Sequence, residues 1–168
     1  MNGAVAASPQ LNEDGSRLFV GTLGGEMTAL DTQTGRAVWT FSGNGSVNSI
    51  WGKALVADGK VFFADSAGQL FALDAEDGTP VWQTEFSGSV VGGVTSILDG
   101  LALTTNNGML KSFNFDGSPK WEATIEGESF QAPVANDDLL IAGLINGENL
   151  LYGFSLTGVQ LWSTTPEN

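Results

Sequence analysis

A repeat governs what this chain can fold into. Trp39, Trp82, Trp121 and Trp162 stand 43, 39 and 41 residues apart, and each follows a glycine by four positions: Gly35, Gly78, Gly117 and Gly158. The stretch ALDTQTGRAVW at 29–39 returns as ALDAEDGTPVW at 72–82, and Gly25, Gly68, Gly108 and Gly147 precede the four motifs. A period near 40 residues marks an architecture in which each unit buries its apolar face only against its neighbour.

Four short strands can be read in each unit. The first gives AVAASPQL, RLFVGT, EMTALDT and RAVWTFS, and the second VNSIWGKALV, KVFFAD, QLFALD and TPVWQTEF. The third gives SVVGGVTSIL, LALTT, MLKSFN and SPKWEATI, and the fourth ESFQAPVA, LLIAGL, NLLYGFS and VQLWST. Turn residues join them at Glu13-Asp14-Gly15, Asp58-Gly59, Asn107-Gly108 and Asn146-Gly147, where positive φ is needed. VFFA and LFAL are apolar at consecutive positions rather than alternating, which describes strands buried on both faces. Sheets stacked face to face meet that demand. The expected fold is all-β: a β-propeller of four consecutive four-stranded antiparallel blades, at about 4–43, 46–87, 89–126 and 128–164 of a single domain.

The motif A-x-D-x-x-x-G-x-x-x-W resembles the tryptophan-docking motif of pyrroloquinoline-quinone (PQQ)-type propellers. Ala29, Asp31, Gly35 and Trp39 match it, as do Ala72, Asp74, Gly78 and Trp82. The third and fourth units are one residue shorter and put Asn114 and Ser155 in place of the Asp, while Gly117 with Trp121 and Gly158 with Trp162 keep the spacing. The resemblance implies that the motif joins the third and fourth strands of a blade and that each Trp docks on the next blade. Trp51 lies outside the motif on the innermost strand of the second unit, where the family's strands face the central channel. It is either core or a channel-facing contact.

PQQ-type propellers close with seven or eight blades, so four blades read as half of an eight-bladed ring. A homodimer would complete it, as would the remainder of a longer chain; a closed four-bladed ring is the third option. Each end face covers roughly 300 Å² in projection. Two copies joined at both ends would bury on the order of 1,200 Å², the lower edge of a standard interface.

Charge and composition narrow the function. Nineteen acidic residues against six basic ones give a formal net charge of −13, which offers nucleic acid no basic footprint. No apolar run approaches the roughly 20 residues of a membrane span, so direct membrane insertion is not expected. The chain has no Cys and no His, excluding disulfides, Cys/His zinc sites and Ser-His-Asp triads. MNGAVAASPQ lacks the basic and apolar regions of an intact signal peptide.

The family's dehydrogenases imply a quinone, Ca²⁺ held by Glu and Asn, an Asp base and often a vicinal disulfide. Here the acidic residues cluster at turns, and Asn48, Glu128 and Gln131 are scattered over the inner strands. No catalysis, cofactor or metal is therefore expected. The resemblance is to the family's non-catalytic branch, the propeller lipoprotein of outer-membrane β-barrel assembly. It implies a bacterial protein-binding scaffold in a periplasmic or extracellular setting. The alternatives are a remnant of a quinone-dependent dehydrogenase and a small-ligand sensor using the channel mouth.

Overall fold

The computed structural model describes residues 1–165. Blade one holds β1 (Gln10–Leu11), β2 (Arg17–Gly21), β3 (Met27–Asp31) and β4 (Ala37–Phe41). Blade two holds β5 (Leu55–Ala57), β6 (Lys60–Ala64), β7 (Gln69–Asp74) and β8 (Pro80–Glu85). Blade three holds β9 (Val94–Ile97), β10 (Gly100–Thr104), β11 (Met109–Asn114) and β12 (Pro119–Thr124). Blade four holds β13 (Val134–Ala135), β14 (Leu139–Gly143), β15 (Leu151–Ser155) and β16 (Gln160–Thr164). Each blade is one antiparallel sheet whose strands pair in chain order. The all-β, four-bladed arrangement expected from the repeat is the fold observed.

Local chemistry explains the hairpins. Ala57 faces Lys60 across a two-residue turn in which Asp58 and Gly59 have φ of 50° and 66°. A type I′ turn requires positive φ at both central positions and matches the twist of its strands. The consecutive apolar runs follow from stacking. Side chains alternate between faces along a strand, so Phe63 and Phe71 pack toward blade one while Phe62 and Leu70 pack toward blade three. The Phe63 and Phe71 rings stack at 4.9 Å. Burying each such ring stabilises the fold by about 1.5–3 kcal/mol.

The core among the described residues falls into three clusters, one at each blade junction, and none joins blade four to blade one. The molecule is an open arc, and a closed four-bladed ring is not formed.

The innermost strands are shorter than the sequence led one to expect. Within its own blade AVAASPQL pairs only at Gln10–Leu11, VNSIWGKALV only at its end, where β5 begins, and ESFQAPVA only at Val134–Ala135. Crowding at the axis is the reason. A Cβ on Gly52 or Gly92 would strike the main chain of the next inner segment, at Gly93 or Gln131. One bond per blade replaces the ladder there: the N–H groups of Leu23, Ser66, Asn106 and Ile145 donate to the carbonyls of Ala4, Ser49, Ser89 and Glu128. Among the described residues no helix is long and apolar enough to cross a membrane.

Candidate functional site: blade corners and channel

The motif corners are built by their own polar groups. Asp31 Oδ1 accepts from the Thr34 hydroxyl and N–H at 2.7 and 2.8 Å, and Asp74 Oδ1 from the Glu76 N–H at 2.8 Å. The Thr34 hydroxyl, then the Thr34 N–H, hold the Asp31 carboxyl below its usual pKa, and Arg17 at 3.6 Å adds a smaller effect. The shorter corners close differently. Asn114 Nδ2 donates to Ser118 Oγ at 2.8 Å, and Ser155 Oγ accepts the Val159 N–H at 3.1 Å. These are turn-capping roles for short polar side chains.

Every blade carries a register shift at the same point, immediately after the residue opposite the Trp. Ala29 faces Trp39, Ala72 faces Trp82, Ser112 faces Trp121 and Gly153 faces Trp162. The bulge bends the outer hairpin as the chain enters the corner.

Three of the indoles reach the following blade. Trp39 Nε1 donates to the Ala75 carbonyl at 3.1 Å, Trp82 to Phe115 at 2.9 Å and Trp121 to Leu156 at 2.9 Å. The ring of each lies where the next motif glycine lacks a side chain. A Cβ on Gly78 would stand 2.6 Å from Trp39 Cδ2, on Gly117 2.8 Å from Trp82 Cδ2, and on Gly158 2.6 Å from Trp121 Cδ2. The glycine is thus a seat for the preceding blade's indole as well as a positive-φ corner.

The two ends of the arc break the series. A Cβ on Gly35 would meet nothing within 4 Å, and the Thr32 carbonyl, which holds the place of the Ala75 carbonyl, accepts no hydrogen bond among the described residues. Trp162 is 39% exposed, and its N–H donates to no described residue. Its ring lies against Gly153 of its own blade, where the other blades carry Ala29, Ala72 and Ser112.

On the innermost segments Ala6, Trp51, Val91 and Phe130 occupy equivalent positions, each two residues past the carbonyl that tethers its blade. Trp51 is 44% exposed, and Phe130 is exposed as well. Phe130 escaped the sequence reading, although its place in the repeat is that of Trp51.

The polar inner residues are engaged in structure. Asn48 donates its N–H and side-chain amide to Asp65 Oδ2 at 2.8 and 3.2 Å, while Asp65 Oδ1 accepts the Ala67 and Gln69 N–H groups. Asp65 is fully buried; Thr22 and Thr105 hold its place in blades one and three, each accepting one N–H through its hydroxyl. The Gln131 carbonyl accepts from the Thr104 hydroxyl, and the Glu128 N–H donates to Asn146 Oδ1. No group of three or more His, Cys, Asp or Glu side chains among the described residues could hold a metal ion. These groups, engaged in holding turns, do not fit the calcium and quinone of the dehydrogenases. A rim cleft of about 440 Å³ between blades one and two, lined by Asp14, Arg17, Asp58 and Glu76, is a solvated groove.

A sequence-family model described as outer membrane protein assembly factor BamB matches residues 2–99, more than half of the chain. The chain belongs to this family of PQQ-type propellers. No curated protein matches it by sequence. Among solved structures, BamB from Moraxella catarrhalis is 24% identical at a TM-score of 0.81, covering 97% of this chain and 50% of that one. The quinohemoprotein alcohol dehydrogenase ADHIIG from Pseudomonas putida HK5 is 15% identical at 0.83, covering 98% and 34%. The computationally designed Ika8 protein is 12% identical at 0.79, covering 93% and 48%. This PQQ-type propeller chain spans half or less of the length of those proteins. At such identities the likeness shows the fold, which an assembly factor and a dehydrogenase share; function has to be argued from the site.

Proposed function

We propose that the chain is a non-catalytic, protein-binding scaffold of the bacterial cell envelope, in a periplasmic or extracellular setting, working as half of an eight-bladed ring. The observation that carries this is Trp51. Three of the five tryptophans staple blades together, yet Trp51 stands 44% exposed on an inner segment with its N–H given to no described residue. A large amphipathic ring held by a rigid disc is what protein interfaces use as an anchor. Phe130, at the equivalent position of blade four, is exposed as well. The family description, an outer-membrane assembly factor, supports the envelope setting. The inner polar side chains are occupied in holding turns, which favours binding over chemistry.

Two titrations test the reading. Adding PQQ with Ca²⁺ is expected to leave the tryptophan fluorescence and the melting temperature unchanged; saturable quenching with dye reduction would establish the dehydrogenase alternative. Capture from an envelope extract by the wild-type chain, lost with a folded Trp51→Ala variant, is the expected positive result. Equal capture by both removes the channel from the account.

The exposed aromatic pair also favours a second reading, a sensor for a small apolar ligand at the channel mouth. Saturable Trp51 quenching by a small aromatic probe such as indole, without protein capture, would select it.

A further inference from the structure

We infer that a second copy of this chain completes the ring, with Trp162 of each copy seated on Gly35 of the other. The two ends of the arc are the halves of one junction. Blade four offers an indole with no neighbouring blade, and blade one offers a motif glycine with open space above it and a free Thr32 carbonyl beside it. The three internal junctions show what those parts do when joined: ring on glycine, N–H to the carbonyl of the same corner.

The sheet faces agree. Four exposed large apolar residues lie on the outward faces of the end blades, Leu11 in blade one and Val134, Leu151 and Trp162 in blade four. The outward face of blade four presents Val134, Ile141, Leu151 and Trp162, and that of blade one Leu11, Leu18 and Leu30. The other strand residues of both faces are small, apolar or hydroxyl-bearing and none is charged, although the chain carries −13. An acidic protein that keeps charge off two matching apolar faces is built to cover them.

The count closes as well. The chain covers about half of BamB and of the Ika8 design, so one more copy supplies the blades that are missing. Two end-to-end junctions bury on the order of 1,200 Å², enough for a specific pair. Four identical steps around an eight-bladed ring amount to a half-turn, so two copies close with twofold symmetry.

This inference is independent of the scaffold reading. A monomer would leave partner capture by Trp51 intact, and failed capture would leave the dimer intact.

The test is sedimentation equilibrium of the full chain and of two variants. Trp162→Ala removes an exposed ring that no internal junction uses. Gly35→Asn fills the seat with a residue that tolerates positive φ, and nothing within 4 Å opposes it in the single chain. The wild type is expected to sediment at twice 17.5 kDa. Loss of a central aromatic anchor weakens a junction about 30-fold. Each variant alone carries two altered junctions and should dissociate roughly 1,000-fold more readily, with unchanged circular dichroism. Mixing the two variants leaves one junction intact in the heterodimer, so association should recover to within about 30-fold of wild type. A wild-type monomer at high concentration overturns the proposal and hands the faces to further blades of a longer chain or another partner. A dimer indifferent to both substitutions, or no recovery on mixing, overturns it too.

Discussion

The indole of Trp39 lies over Gly78 of the next blade, with Cδ2 placed 2.6 Å from where a Cβ on that glycine would stand. Trp82 repeats the relation with Gly117 and Trp121 with Gly158. One glycine per corner therefore carries two duties, a left-handed turn and a flat seat, and the two can be separated by mutation.

Gly78→Ala meets both costs. The positive φ of 74° penalises any L side chain by about 1–2 kcal/mol, and displacing the indole adds about 1–3 kcal/mol more. Gly59→Ala, at φ of 66° with nothing within 4 Å, should show the first cost alone. Urea unfolding of the two variants measures the difference. Equal losses would mean that the ring does not sit on the glycine.

Trp82 separates ring packing from hydrogen bonding. Trp82→Phe keeps an aromatic ring and loses the 2.9 Å bond to the Phe115 carbonyl, for about 1–2 kcal/mol. Trp82→Ala also opens the junction, for about 3–5 kcal/mol. Trp51→Ala, at an exposed position, should change stability by no more than about 0.5 kcal/mol.

Asp65 holds four donors in a fully buried carboxylate. Asp65→Ala leaves those donors unmatched and should cost about 3 kcal/mol or more. Asp65→Thr restores the single acceptor used by Thr22 and Thr105 and should recover part of the loss in the same unfolding assay.

Acid should weaken the corners in a definite window. Hydrogen bonds from Thr34 lower the Asp31 pKa, and those from Ser16, Thr79 and Ser118 lower the pKa values of Asp14, Asp77 and Asp116. A depressed folded-state pKa contributes stability that is full above the unfolded value of 3.8 and is lost as pH falls through the folded one. Asp31→Asn keeps the Oδ1 acceptor and removes the titration. Its denaturation midpoint should differ from that of the wild type above about pH 4 and converge with it below the lowered pKa.

Blade number, strand order and the corners were legible because they rest on local chemistry repeated in register. Gly35, Gly78, Gly117 and Gly158 mark the corners, and double-sided apolar runs such as VFFA mark the buried strands. The short inner strands were not legible. Whether VNSIWGKALV pairs along its length depends on how closely Gly52 approaches Gly93 at the axis, a contact between blades that no single unit encodes. Asp65 was overlooked for a related reason: its repeat equivalents are Thr22 and Thr105, so the shared role as a turn acceptor is hidden by different residue types. Trp51 showed only an aromatic on an inner segment; its exposure is set by neighbouring blades.

Hydrogen exchange of the five indole N–H groups, read by NMR in dilute solution, tests the stapling of blades most directly. The stapling of blades predicts slow exchange for Trp39, Trp82 and Trp121, whose N–H groups are bonded to the next blade, slow exchange for Trp162 wherever two copies are joined, and fast exchange for Trp51. Fast exchange at Trp39, Trp82 and Trp121, or protection at Trp51 equal to theirs, would contradict it.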